Sequence, residues 1–311
     1  MTAVETFSLS KQYKHTLAVD HVSLRVPEGV KCGFLGKNGA GKTTTIKMLM
    51  GLKKPTSGGF SIMGEEQVFG RRNLAVGYLP DVPNFYSYMT GAEFLDLCGR
   101  LYDIPAAKRK EQVQSLLKRV GLDKARGRIS TYSRGMKQRL GIAQAMINNP
   151  SIIFMDEPIS ALDPMGRRDV MDIVQSLTDT TVVFSTHILS DVEDICDYIL
   201  IIEKGRILVQ DSLAGLKASH AKDMAKVTLY EAAHGEALRA ALGRFDYLSV
   251  QADSPVELAV SSDTADTAAI SRAVSSALTE LSLPFERFVP HSPTLEDIFA
   301  ETIRNGVSTG A

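Results

Sequence analysis

Eight residues, Gly36-Lys37-Asn38-Gly39-Ala40-Gly41-Lys42-Thr43, constrain this chain more than any other stretch. They follow Val30 to Leu35, a run with the length and apolar character of a buried strand, and they lead into a helical run from Lys42 to Met50. A turn of pattern G-x-x-x-x-G-K-[ST] in that setting lets backbone N–H groups wrap a phosphate without a Cβ in the way. The positive end of the following helix adds attraction for an anion. Lys42 would reach the β- and γ-phosphates of a nucleotide, and Thr43 would ligate Mg2+. The competing reading, a chance glycine-rich turn, must satisfy every constrained position in the right context.

The first two-thirds of the chain alternates short apolar strands with amphipathic helices, as an α/β fold does. Residues 91 to 120 switch to a helical period, with Phe94, Leu95, Cys98 and Leu101 as one stripe and Val113, Leu116, Leu117 and Val120 as another. From Ser133 the pattern is helix, strand, helix, strand, helix. Asp163 before Pro164 reads as an N-cap with proline at the first helical position, and Ser190 with Glu193 has capping-box spacing. Tyr198 to Ile202 and Arg206 to Gln210 read as a hairpin. After about residue 219 the texture changes. A β-α-β-β-α-β order follows, the split βαβ pattern, and a last helix spans about Thr294 to Arg304.

Composition narrows the class. A chain of 311 residues fits two domains, and 44% hydrophobic residues suffice for a real core. The net charge of -1 excludes a surface built wholly to grip polyanions, so no nucleic-acid partner is expected. That value hides an asymmetry: residues 1–219 hold 28 basic and 23 acidic side chains, and residues 220–311 hold 7 and 13. No run approaches the ~18 apolar residues of a membrane span, and the first twenty residues lack a secretory pattern. Cys32, Cys98 and Cys196 have no paired spacing and read as small buried hydrophobes in a reducing compartment.

A second strand, Ile152 to Met155, ends in Asp156 and Glu157. Asp156 suits a Mg2+ contact and Glu157 suits a general base acting on water. Tyr132-Ser133-Arg134-Gly135-Met136 lies just upstream, and His187 follows the strand 181–185. In this order the motifs resemble the nucleotide-binding domain of ABC (ATP-binding cassette) transporters, over roughly residues 4 to 215. The resemblance identifies Gly36 to Thr43, with Thr44, as the Walker A cradle, 132–136 as the signature, 152–157 as Walker B, Ser160-Ala161-Leu162-Asp163 as the D-loop and His187 as the switch histidine.

What the resemblance implies goes further. Tyr13 would stack on adenine. Ser133 and Gly135 would face the γ-phosphate held by a second cassette, so a dimer, most simply a homodimer, is expected. Glu157 and His187 would carry hydrolysis of ATP, with Thr43, Asp81 and Asp156 toward Mg2+. Two places depart from the family pattern. In the signature, Tyr132, Arg134 and Met136 stand where the family has leucine, glycine and glutamine, and Asp81 stands where it has glutamine. The implied fold is an α/β P-loop NTPase cassette: a RecA-like core, an antiparallel β subdomain and a helical subdomain over about 82–148. The cassette would fill residues 1–219, and 220–311 would form a small α+β ferredoxin-like domain.

Residues 82–102, with Phe85, Tyr86, Tyr88 and Met89, lie where relatives dock a membrane permease subunit, but they could equally pack the helical insert. Pro293 to Phe299 resembles the tail of drug- and antibiotic-exporter ATP-binding subunits. The expected function is therefore ATP hydrolysis powering transport, in the direction of export, through a permease on a separate chain. The expected location is cytoplasmic, peripheral on the inner face of the cell membrane. The alternative is an ABC ATPase acting on a soluble partner.

Overall fold

The computed structural model describes residues 1–71, 73–160, 162–219, 223–262, 264, 267–291 and 294–308. The chain starts with β1 (Thr2–Tyr13), β2 (Thr16–Val22) and β3 (Arg25–Pro27), then β4 (Lys31–Leu35) and α1 (Lys42–Leu49). β5 (Ser57–Ile62), β6 (Glu65–Glu66) and β7 (Val76–Leu79) follow, and then α2 (Gly91–Leu101), α3 (Ala106–Arg119) and α4 (Arg134–Ala145). Next come β8 (Ile152–Asp156), α5 (Pro164–Gln175), β9 (Thr181–Thr186), α6 (Ser190–Glu193), β10 (Tyr198–Glu203) and β11 (Arg206–Ser212).

Six strands form the central sheet in the order β11-β10-β4-β9-β8-β7. All neighbours are parallel except the β10–β11 hairpin. Every residue of β4, β8 and β9 is buried, as expected of parallel strands covered on both faces. Phe34, Phe154 and Phe184 are among the largest fully buried side chains. A second, antiparallel sheet runs β2-β1-β5-β6 with β3 on β1. Its buried Leu9, Val19, Val22 and Phe60 share one hydrophobic cluster with Phe34 and Phe154, which fixes the two sheets together.

The helical part is built from α2, α3 and α4. A full capping box opens α2, with the Thr90 hydroxyl accepting from the Glu93 N–H and the Glu93 carboxylate accepting from the Thr90 N–H. Phe94, Leu95 and Cys98 are buried as expected, but Leu101 is 65% exposed at the last helical position, where the stripe runs off the core. Asp163 caps α5 and Pro164 opens it. The expected cap at Ser190 is displaced: Leu189 is the N-cap of α6 and Ser190 is already helical.

The chain divides into two compact units, Met1–Leu213 with Thr302–Ala311, and Ala214–Glu301. The division falls where β11 leaves the central sheet, ahead of the boundary expected at residue 219. α7 (Leu213–Ser219) starts at the boundary, and the second unit contains β12 (Asp223–Leu229), α8 (Ala232–Leu242), β13 (Ser249–Ala252), β14 (Glu257–Ser262), α9 (Thr267–Glu280) and β15 (Phe285–His291), and α10 (Leu295–Ser308) begins there. Its sheet is wholly antiparallel, in the order β13-β14-β12-β15, which is the ferredoxin-like arrangement of a split βαβ pair. Ala225, Val227, Leu229 and Val260 meet Leu238, Ile270 and Val274 in a separate core. At the tail, Leu295 and Ile298 are buried and Phe299 half-buried, whereas Pro293 lies outside the described residues.

Candidate functional site

β4 ends at Leu35, and residues 36–41 turn the chain into α1. Two glycines are required by what surrounds them. A Cβ on Gly36 would collide with the carbonyl of Ile202, and one on Gly41 would stand 2.7 Å from the carbonyl of Ala18, at a φ of +114° that L-residues avoid. The turn of the β10–β11 hairpin braces the loop from behind, since the Gly205 N–H donates to the Ala40 carbonyl at 2.8 Å. α1 has no side-chain cap and no acidic residue in its first turn, so its positive pole is left for an anion. The buried Lys42 ammonium donates to the carbonyls of Gly36 (2.6 Å) and Lys37 (3.3 Å).

The carboxylates arrive from the next strands of the same sheet. β8 and β9 end side by side, with Asp156 opposite Ser185. The Thr43 hydroxyl donates to Asp156 Oδ1 at 3.0 Å, and the Ser185 hydroxyl donates to the same oxygen at 2.7 Å. Glu157 adopts a positive φ of 48°, unusual for a side chain of its size. Its Oε1 lies 3.5 Å from Lys42 Nζ and its Oε2 3.0 Å from His187 Nδ1. Ser160 donates toward Asp81 Oδ1 at 3.1 Å and the Glu157 carbonyl at 3.0 Å. Its neighbour Ala161 lies outside the described residues. The Tyr78 hydroxyl is pushed up to about 12, first by burial and then by the charges of Asp156 and Asp81.

A cleft of about 370 Å3 opens over these groups. Lys37, Asn38, Gly39, Gly41, Lys42, Thr43 and Thr44 line it together with Asp81, Glu157 and His187, whereas Gly36, Ala40 and Asp156 lie buried beneath. Ala18 and Ser160 also line the cleft, and sequence reasoning gave neither a contact there. Tyr13 is not in its wall. It closes β1 with Lys11 and Lys53 ammonium groups 5.4 and 5.9 Å from its ring centroid. Ser133 and Gly135 are not in the wall either. Ser133 caps α4 by accepting from the Met136 N–H at 3.2 Å, and Gly135 and the exposed Arg134 sit in the first turn of that helix.

A larger groove of about 750 Å3 lies on the helical part, floored by Met89, Ala92, Leu97 and Val113. Phe85 packs edge-on against Phe94, with centroids 5.0 Å apart, while Tyr86 and Tyr88 stay exposed.

Together, the parallel sheet, the glycine-braced loop at the end of β4 and the paired carboxylates at the end of β8 define a phosphate-loop nucleotide-binding ATPase. The ABC transporter family profile matches residues 19–160. An uncharacterized ABC transporter ATP-binding protein of Bacillus subtilis, YxlF, is 44% identical over 230 residues, covering 73% of this chain and 77% of that protein. The daunorubicin resistance ATP-binding protein DrrA3 of Streptomyces coeruleorubidus is 33% identical over 304 residues, 96% of this chain and 95% of the relative. The bacitracin transport ATP-binding protein BcrA of Bacillus licheniformis is 37% identical over 227 residues, 71% and 73% of the two chains. A solved ATP-binding subunit of an ABC transporter superposes with a TM-score of 0.62 at 29% identity, covering 70% of this chain and 93% of that one. The chain belongs to the ATP-binding proteins of ABC transporters and is an ATPase of that class. Among the described residues no helix is long and apolar enough to cross a membrane.

Proposed function

We propose that this ATPase works as one of two identical cassettes, closes on ATP with Mg2+, and drives export through a permease carried on a separate chain at the inner face of the cell membrane. The observation that carries the reading is the convergence of Lys42, Thr43, Asp156, Glu157 and His187 on one cleft. The donor set fits the ligands. Backbone N–H groups and an ammonium suit phosphate, and the hydroxyl and carboxylate of Thr43 and Asp156, 3.0 Å apart, suit a hard cation. Asp81 adds a further oxygen at the rim. Bound Mg2+ would supply charge neutralisation at the β- and γ-phosphates.

In this reading Lys42 leaves its loop carbonyls for the phosphates, and Tyr13 offers its ring to the base. Glu157 takes a proton from the attacking water, and His187 orients its carboxylate. Ser133 and Gly135, at the N-terminus of α4, complete the site of the other cassette. The exposed Tyr86 and Tyr88 and the apolar groove beside them form the seat of the permease. Support for export comes from the daunorubicin resistance relative, whose similarity extends over nearly the whole chain.

Three measurements test this. Lys42→Ala is expected to lose ATP affinity, and unchanged binding by calorimetry would sink the cradle. Glu157→Gln is expected to keep ATP while turnover drops about 100-fold or more. For the partner, a polytopic membrane protein is expected to copurify in detergent. Recovery of the chain alone under every nucleotide condition would overturn the permease assignment.

A further inference from the structure

Ser185 has no role in the reading above, yet it lies between its two carboxylates. The residue is the last but one of β9, opposite Asp156, and is completely buried. Its hydroxyl makes two bonds at once, donating to Asp156 Oδ1 at 2.7 Å and accepting from the Glu157 N–H at 3.0 Å. Its carbonyl accepts from the same N–H at 3.1 Å. The remaining residues of that strand's interior, Val182, Val183 and Phe184, are apolar, so burial alone would be served as well by another apolar side chain.

Three features make the hydroxyl more than a buried polar group satisfying itself. Glu157 holds a left-handed φ of 48°, and such a conformation persists only where neighbours over-determine it. The Ser185 hydroxyl and carbonyl both grip the N–H of that residue. Asp156 Oδ1 receives two hydroxyls, from Thr43 and Ser185, which together set the plane of the carboxylate and engage the same oxygen. Finally, the side chains served have different tasks: one faces the cation and the other the attacking water.

We propose that Ser185 is a positioning residue of the ATPase site, whose hydroxyl ties the Asp156 carboxylate to the Glu157 backbone and holds a fixed offset between them. The inference rests on the roles proposed above for Asp156 and Glu157. Removing the tie lets the carboxylates drift independently, and loss of alignment at a reacting centre can cost up to about 100-fold in rate. Nucleotide contacts made by the loop at the end of β4 do not involve Ser185.

The test is Ser185→Ala in the full chain, with four readouts. Expected are a kcat lower by about 10-fold or more, a KM for ATP within about 2-fold of wild type, a raised Mg2+ concentration for half-maximal activity, and unchanged ATP binding in EDTA by calorimetry. The EDTA measurement reports the fold of the cleft independently of turnover. In a Glu157→Gln background, Ser185→Ala is expected to add little further loss, because the two act as one unit. A wild-type kcat for Ser185→Ala would overturn the proposal, and so would equal losses of kcat and of metal-free ATP binding. A Glu157→Gln variant that turns over normally would instead overturn the role given to Glu157, so the two failures are distinguishable.

Discussion

His187 Nδ1 lies 3.0 Å from Glu157 Oε2, a hydrogen-bond distance between the ends of two neighbouring parallel strands. The histidine is 47% exposed and the glutamate 14%, and the ring gives the Glu157 carboxylate a partner at its Oε2. His187→Ala is therefore expected to lower kcat by about 10- to 100-fold while leaving ATP affinity within about 2-fold. A steady-state rate series alongside calorimetry checks this, and a wild-type kcat would remove His187 from the mechanism.

Gly41 is the point of the phosphate loop where a close backbone contact and a positive φ coincide. Gly41→Ala would force a Cβ to 2.7 Å from the Ala18 carbonyl at a φ of +114°. A cost of about 1–3 kcal/mol is expected, read as a Tm several degrees lower, together with loss of ATP binding. An unchanged Tm would show that the loop can move away from Ala18 without penalty.

Asp96 on α2 offers a pH-dependent test away from the cleft. Its carboxyl is held below the usual range chiefly by the Arg109 hydrogen bond, which desolvation opposes and the Arg100 hydrogen bond reinforces. A depressed folded-state pKa gives stability that is fully present above the unfolded value near 3.8 and lost as pH falls through the folded value. Asp96→Asn is expected to lower Tm by a constant amount above about pH 5, with the gap closing under more acidic conditions. A gap independent of pH would assign the effect to packing alone.

All three cysteines are buried, and burial raises each thiol: Cys98 to about 11, and Cys32 and Cys196 well above the ordinary thiol value. The thiolate is the reactive form. Native protein is expected to resist an aromatic disulfide reagent over hours and to release three equivalents on denaturation. Rapid labelling of the native chain would contradict the packing of β4 and α2.

Local grammar carried much of this fold into the sequence. The glycine spacing from Gly36 to Gly41, the apolar run ending in Asp156, and Asp163 before Pro164 all express short-range chemistry, and each is read within a few residues. Contacts across long separations were not legible. Nothing near Gly36 signals that Ile202 forbids it a side chain, nor does anything near Asp156 name Ser185. Ser190 with Glu193 shows the opposite failure, in which the spacing is right but the helix starts one residue earlier, with Leu189 as its N-cap. The segment from Phe85 to Tyr88 needed tertiary structure because aromatics serve packing and docking alike.

The order of strands in the central sheet bears on how the protein is made. β4, which carries the phosphate loop, is flanked by β9 and β10, and Gly205 braces the loop. A growing chain therefore exposes its nucleotide loop on the ribosome long before the neighbours of that loop exist. At about 5–20 residues per second, the wait lasts on the order of 10 to 30 s. For that interval the unpaired apolar strand Lys31–Leu35 is a target for chaperones, and the nascent cassette has no competence for ATP until its hairpin emerges.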